Sequence, residues 1–347
     1  MAEAIATRKH KSDAAVGDSV GLDRLLEYYG KMMRIRRFEE KAFEHYRKGD
    51  IGGFCHLYIG QEAVCVGALS CLVPGDQVLT AYRDHGHALA LGMSADSLMA
   101  ELFGKATGCV KGKGGSMHFF SRELGMMGGN GIVGSHVPVA TGVAFAQKYK
   151  NQHNVTLVFF GDGAAQQGAV HEAMNLAGLW RLPVIFILEN NKYGMGTSVE
   201  RSSATHELFK RASAYNFPGI TCDGMDMLDV RAKIGAAVAR AREDYSPTLI
   251  EAHTYRYGGH SMSDPANYRT AEEIEQYKKN DPILMLKSEL VKRGVSETWF
   301  DDTEKSAKAE AKKSVEFAAA SPEPDVSEVG TDVYANPWGP ELLPKIG

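Results

Sequence analysis

Long hydrophobic runs are missing from this 347-residue chain: none approaches the roughly 18 consecutive apolar residues that a membrane-spanning helix needs. An excess of one charge is missing too. Lysine and arginine number 39 against 43 aspartates and glutamates, a formal charge of −4, which gives no electrostatic case for nucleic acid or an anionic membrane. Cysteine is sparse. Cys55, Cys65, Cys71, Cys109 and Cys222 are odd in number, scattered and without metal-ligand spacing, so they read as reduced thiols in a cytosol-like compartment. The first residues carry a basic patch, Arg8-Lys9-His10-Lys11, with no apolar stretch of the kind a secretory signal has, and Glu3 counts against a transit peptide. No GxxxxGK followed by Ser or Thr occurs, which excludes a P-loop, and no internal repeat is visible.

What is present is an alternation of strand and helix patterns, centred on residues 155–197. Val155 to Phe160 is a short apolar run bounded by Gly161-Asp162-Gly163, as a buried strand would be. A helical pattern follows, with Val170, Met174, Ala177 and Leu179 spaced to face a core, and then a second apolar run, Val184 to Leu188, ends in Glu189-Asn190-Asn191. Strand, helix, strand is a βαβ unit, so Asp162 and Asn191 leave parallel neighbours at their carboxyl ends, where open α/β sheets bind ligands. Aspartate and asparagine oxygens suit Mg²⁺ or Ca²⁺ better than zinc. Gly161 and Gly163 let the backbone approach a diphosphate, and the helix expected after Ala164 aims its N–H groups there.

Around this unit the chain reads in order. Leu22 to Arg47 is a helix with Leu25, Tyr28, Met32, Ile35, Phe38, Ala42 and Tyr46 on one stripe. A further helix runs to Leu72, and Val78 to Ala81 is a strand delivering Tyr82-Arg83-Asp84-His85-Gly86. Arg83 at that point suits either a phosphate or a surface ion pair. His85 and His87, on an extended strand, would face opposite sides and share no metal. Gly129-x-Gly131-x-x-Gly134 matches a dinucleotide fingerprint in form, but no strand is expected before it and no acidic residue occurs from Ser135 to Gly161. Helices over Val137–Tyr149, around His206–Ala214 and over Met227–Asp244 lead to a strand from Pro247 to Ala252. The segment from Tyr255 to Pro265, with His260, is too polar and glycine-rich for a core and reads as a site loop. Helical patterns over Glu272–Lys279, Pro282–Lys292 and Ser296–Ala320 form an extension. The expected organisation is a flexible arm at 1–20, an α/β domain at 21–269, and a helical extension with a C-terminal tail at 270–347.

Taken together, FCHLYIGQEA, TAYRDHG, GKGGSMH, GGNGIVG, GDGAAQQG, ENNKYGMGTSVER and YRYGGHSMSDP run from about Leu22 to near the C-terminus, and through them the chain resembles the α subunits of pyruvate dehydrogenase E1 of the two-chain (αβ) type. The resemblance implies a three-layer α/β/α thiamin diphosphate-binding fold with a mostly parallel sheet and a C-terminal helical extension. It implies Mg²⁺ on Asp162, Asn191 and the Tyr193 carbonyl, with Gly163, Ala164, Tyr82 and Arg83 at the diphosphate. Gly131 and Val133 match positions beside the aminopyrimidine, and His56 and His260 match the active-site histidines, His260 also touching cofactor. The implied activity is oxidative decarboxylation of pyruvate with reductive acetylation of a lipoyl group on an E2 acetyltransferase. A β subunit is the implied partner, in an α₂β₂ assembly, in a bacterial cytoplasm or a mitochondrial matrix. The family uses a glutamate to activate the aminopyrimidine; here Glu62 is the only local candidate, and a β chain is the expected source. Ser261 and Ser263 lie in the loop that kinases modify in animal-type members, but the second loop serine appears as Asn267 and the loop is one residue shorter. An acetoin or branched-chain 2-keto acid dehydrogenase α subunit, or a non-catalytic Mg²⁺-nucleotide-binding module, are the alternative readings.

Overall fold

The computed structural model describes residues 20–333, so all of the proposed N-terminal arm except Val20, and the end of the C-terminal tail, lie outside the described residues. Helix α1 (Leu22–Lys48) buries the stripe read from the sequence except Tyr46, which is only half-buried, and ends at Gly49, whose φ of 86° gives the left-handed turn that stops a helix. Then come α2 (Glu62–Leu69), β1 (Gln77–Ala81), α3 (His85–Leu91), α4 (Ala95–Leu102), β2 (Met126–Asn130), α5 (His136–Tyr149), β3 (Thr156–Gly161), α6 (Gly168–Trp180) and β4 (Val184–Asn190). A short ribbon of β5 (Tyr193–Gly194) and β6 (Thr197–Ser198) precedes α7 (Val199–Ser202), β7 (Gly219–Asp223), α8 (Met227–Asp244) and β8 (Thr248–His253). The extension is α9 (Ala271–Lys278), α10 (Pro282–Lys292) and α11 (Glu297–Ala320).

Among the described residues six strands form one sheet in the order β2-β1-β3-β4-β8-β7, every pair parallel. Its central strands are apolar on both faces because helices cover both. Alternate residues divide the core in two. Leu157, Phe159, Ile185, Ile187 and Ile250 pack with α1, α2, α4, α8, α10 and α11, whereas Val158, Phe160, Phe186, Leu188 and Leu249 pack with α5 and α6. The fold is therefore a three-layer α/β/α sandwich. Phe300, Ala307 and Ala318 of α11 join the same core as α1. Asp281 caps α10 by accepting from the N–H groups of Ile283 and Leu284, with Pro282 in the first turn, as a helix start prefers.

Several expectations need correction. A strand, β2, does precede Gly131: its sequence MMGGN lacks the β-branched residues that mark strands, and pairing with β1 supplies what propensity does not. His85 and His87 begin helix α3 instead of sitting on a strand. Helix α2 ends at Leu69. Ala164 opens a single 3-10 turn, Ala164–Gln166, and α6 starts only at Gly168. The segment around His206–Ala214 is a 3-10 helix over Leu208–Tyr215. Leu179 does not face the core: it is 69% exposed and, with Val139, Phe145, Tyr149 and Trp180, forms an apolar outer face on α5 and α6. The Phe145 ring lies 6.1 Å from Tyr149 and 5.4 Å from Trp180. The stretch after β8 is not wholly a polar loop, since Tyr255 and Arg256 are buried.

Candidate active site

Because the strands are parallel, their carboxyl ends line one edge, and the residues singled out in the sequence gather there. Tyr82 and Arg83 follow β1, Gly131 follows β2, Asp162, Gly163 and Ala164 follow β3, Asn191 follows β4, and His260 follows β8. Tyr193 lies in the β5–β6 ribbon, close by.

The asparagine that ends β4 and the one after it turn opposite ways. Asn190 is tied into the fold, its Nδ2 donating to Glu251 (2.7 Å) and its Oδ1 accepting the Lys192 N–H (3.1 Å). Asn191 donates through Nδ2 to Gln61 Oε1 (2.9 Å), which leaves its Oδ1 facing the site. There the Arg256 guanidinium donates through Nη1 to Asn191 Oδ1 and to the Tyr193 carbonyl, each at 3.2 Å, and through Nη2 to Tyr268 Oη at 2.9 Å. Asp162 lies beside them, 2% exposed, with Oδ2 buried and without a hydrogen-bond partner. Burial pushes its carboxyl group up to about 6. Lys192 and Met195 hold left-handed φ angles of 78° and 53°, and this strained turn aims the Tyr193 carbonyl inward. Gly163 and Gly194 pass so closely that a Cβ on Gly194 would lie 3.0 Å from Gly163 Cα.

An unpartnered carboxylate oxygen, an amide oxygen and a main-chain carbonyl, two of them already on a cationic donor, fit a hard divalent cation with room for further oxygens. No group of three or more His, Cys, Asp or Glu converges among the described residues.

Next to this cluster is a cavity of about 660 Å³ whose lining includes His56, Tyr82, Met117, Gly131, Val133 and His260. The His56 ring lies 4.4 Å from Tyr82 and 5.2 Å from His260. Burial, helped by the Arg83 charge, holds the His56 imidazole far below its usual range. The same two influences bring His260 down to about 4, so both are neutral at pH 7. Arg83 is not at the surface. Its buried guanidinium donates to the carbonyls of Leu57 (2.5 Å) and His260 (2.7 Å), pinning together the two segments that carry the histidines. Burial lowers its own pKa to about 10.

The site loop is tied down by two residues that sequence reasoning passed over. Asp264 accepts from His260 N (2.6 Å), Tyr268 Oη (2.8 Å) and Ala266 N (2.9 Å), and Arg269 donates to the carbonyls of Arg256, Tyr257 (2.8 Å) and Gly258. Ser261 and Ser263 share a hydroxyl–hydroxyl contact of 3.0 Å. Gln61 and Arg256 were missed as well. Arg256, in the motif Tyr-Arg-Tyr-Gly-Gly-His after a strand, carried the better signal. Glu62 faces away from the cavity: fully buried, it pairs with Arg36 Nε at 2.5 Å and Nη2 at 3.1 Å. Among the described residues no glutamate lines the cavity.

Comparison with known proteins gives the family. The family model described as "Dehydrogenase E1 component" matches residues 30–327. The chain is 52% identical over 310 residues to the pyruvate dehydrogenase E1 component subunit alpha of Rhizobium meliloti, covering 89% of each chain. It is 48% identical over 318 residues to the protein of that name from Zymomonas mobilis, covering 91% of this chain and 90% of the relative. The mitochondrial somatic form from Bos taurus is 46% identical over 314 residues, 90% of this chain and 80% of its own length. By the extent of both matches, the chain belongs to the dehydrogenase E1 component family.

Proposed function

We propose that this chain is the α subunit of a two-chain pyruvate dehydrogenase E1, holding the diphosphate and metal end of thiamin diphosphate. The observation that carries the reading is the cation-shaped cluster of Asp162 Oδ2, Asn191 Oδ1 and the Tyr193 carbonyl, one oxygen of which is buried without a partner. The names of the relatives support pyruvate as substrate.

In this reading Asp162, Asn191 and the Tyr193 carbonyl hold Mg²⁺, while Gly163 and Ala164 offer backbone N–H groups to the diphosphate. Tyr82 and Arg83 approach the diphosphate from the β1 side, and Gly131 and Val133 face the flat ring. Thiamin diphosphate, when bound, supplies the nucleophilic carbon and electron sink that decarboxylation of a 2-oxo acid requires. His56 and His260, neutral and close together, donate hydrogen bonds to the oxygens of the substrate and hold a proton once anionic charge nearby raises their pKa. The two-carbon fragment left by loss of carbon dioxide would be oxidised to an acyl group as the disulfide of a lipoyl group on an E2 partner is reduced, one sulfur taking the acyl group and the other a proton. With Glu62 locked to Arg36, the activating glutamate comes from a β chain, and the cofactor lies across the interface of an α₂β₂ assembly.

The test uses the chain mixed with its β subunit. Calorimetry should show thiamin diphosphate binding that needs Mg²⁺, is lost in Asp162→Ala and is weakened less in Asn191→Ala. Unchanged affinity in the Asp162 variant would sink the assignment. The α chain alone should decarboxylate none of several 2-oxo acids offered, and gain activity towards pyruvate with β present. Turnover by α alone, abolished in Glu62→Gln, would overturn the interface.

A further inference from the structure

Behind His56, outside the cavity, buried groups from four stretches of chain close a hydrogen-bonded ring. Glu39 comes from the middle of α1, His85 from the first turn of α3, and Ser116 from a 3-10 turn at Gly115–Met117; the fourth side is the main chain of His56, Leu57 and Tyr58. Glu39 Oε1 accepts the Tyr58 N–H at 2.7 Å, and its Oε2 lies 2.8 Å from His85 Nδ1. His85 Nε2 lies 2.9 Å from Ser116 Oγ and 3.1 Å from the Ser116 carbonyl. Ser116 Oγ in turn accepts the His56 N–H at 3.4 Å. Glu39, His85 and Ser116 are all buried, and none of them lines the cavity. The His85 ring is stacked on Phe119 at 5.1 Å and meets Phe38 edge-on at 6.3 Å, so it has no freedom to turn.

A serine, histidine and glutamate in this order look like a nucleophile with its base, but no substrate reaches a hydroxyl this deep. What the ring does hold is specific. It takes up the N–H groups on both sides of Leu57, and the Leu57 carbonyl is the acceptor for Arg83, whose other arm holds the His260 carbonyl. One fixed three-residue segment therefore sets where the His56 ring stands relative to Tyr82 and His260. A buried carboxylate is expensive unless paired and hydrogen-bonded, and here all of its bonds converge on that segment and on the histidine that braces it.

We propose that Glu39, His85 and Ser116 are positioning residues that fix the orientation of His56 in the active site. The inference rests on the reading of His56 as a group that acts on substrate.

Ser116→Ala removes one hydroxyl and little volume; His85→Asn keeps a donor towards Glu39 but breaks the link to Ser116. Each is made in the assembled αβ enzyme, with and without His56→Ala. The expected result is a fall in kcat of about tenfold for Ser116→Ala, the effect of one lost hydrogen bond at its upper range, and a larger one for His85→Asn. KM for pyruvate and calorimetric cofactor affinity should stay within about twofold. In the His56→Ala background neither substitution should lower kcat further, because residues that act through one group do not add. If His56→Ala is impaired but the ring variants keep full turnover, or lose the same factor in both backgrounds alongside a lowered melting temperature, the positioning role is overturned while the function stands. If His56→Ala alone turns over normally, the role of His56 and this inference fall together.

Discussion

The rim at the carboxyl ends of the strands and the flank built by α1, α10 and α11 treat polar groups in opposite ways. On the flank, charges are answered. Arg34 meets Glu310 at 2.9 Å and also donates to the carbonyls of Leu89 (2.9 Å) and Met93 (3.1 Å); Arg36 bridges Glu62 and Asp281; Arg37 reaches Glu40 and Glu304. On the rim, Asp162 Oδ2, Gln61 Nε2, His56 Nδ1 and Asp84 Oδ1 are buried without partners. Lys192, Met195 and Ala266 there also hold left-handed backbone conformations. Each buried orphan costs about 1–3 kcal/mol. A fold that satisfies one wall and leaves the other short reserves the second wall for something that arrives later.

Variants should separate the two walls. The largest effect is expected from Asp162→Asn: cofactor affinity with β present should fall by about a thousandfold, as for loss of the anionic ligand facing a dication. The same variant should stabilise the metal-free chain at pH 7. The folded carboxyl group titrates near 6 and the unfolded one near 3.8, so the native state binds more protons between them and wild-type stability rises as pH falls through that window. The Asn variant should therefore melt later at pH 7, by about 3 kcal/mol in stability, and lose that advantage below pH 4. Thermal melts at both pH values check this, and an earlier melt at pH 7 would show that the rim is not under strain.

On the flank, Arg36→Met strands the buried Glu62 and should cost about 3 kcal/mol in urea unfolding, while cofactor affinity of the folded enzyme holds. A loss of affinity without a loss of stability would erase the distinction between the walls. His260→Ala should lower kcat about a hundredfold with cofactor affinity nearly intact, the sign of a group that acts on reacting atoms. The smallest effect belongs to the exposed pair Lys48–Glu44 at 2.6 Å, where Lys48→Ala should change stability by less than about 0.5 kcal/mol.

The architecture was largely legible because its signals are local. The bounds of α8 and α10 were read to the residue, and the buried runs of β3 and β4 announced a parallel sheet. Strand β2 was hidden because Met126–Asn130 has no strand propensity of its own and exists through pairing. Asp162 and Asn191 could be placed at strand ends because the strands before them are continuous apolar runs. Gln61 and the Arg83 clamp could not be read, since each acts by reaching a segment distant in sequence, and no spacing rule encodes that. Leu179 misled for a related reason: its helical spacing is apolar, but the face it serves is outward.

That outward face has a consequence for how the chain behaves in solution. Val139, Phe145, Tyr149, Leu179 and Trp180 form a patch of aliphatic and aromatic surface that water wets poorly. Left uncovered, such a face favours association between copies of the chain. Light scattering of the separately produced chain should show association that grows with concentration, and Leu179→Glu should suppress it.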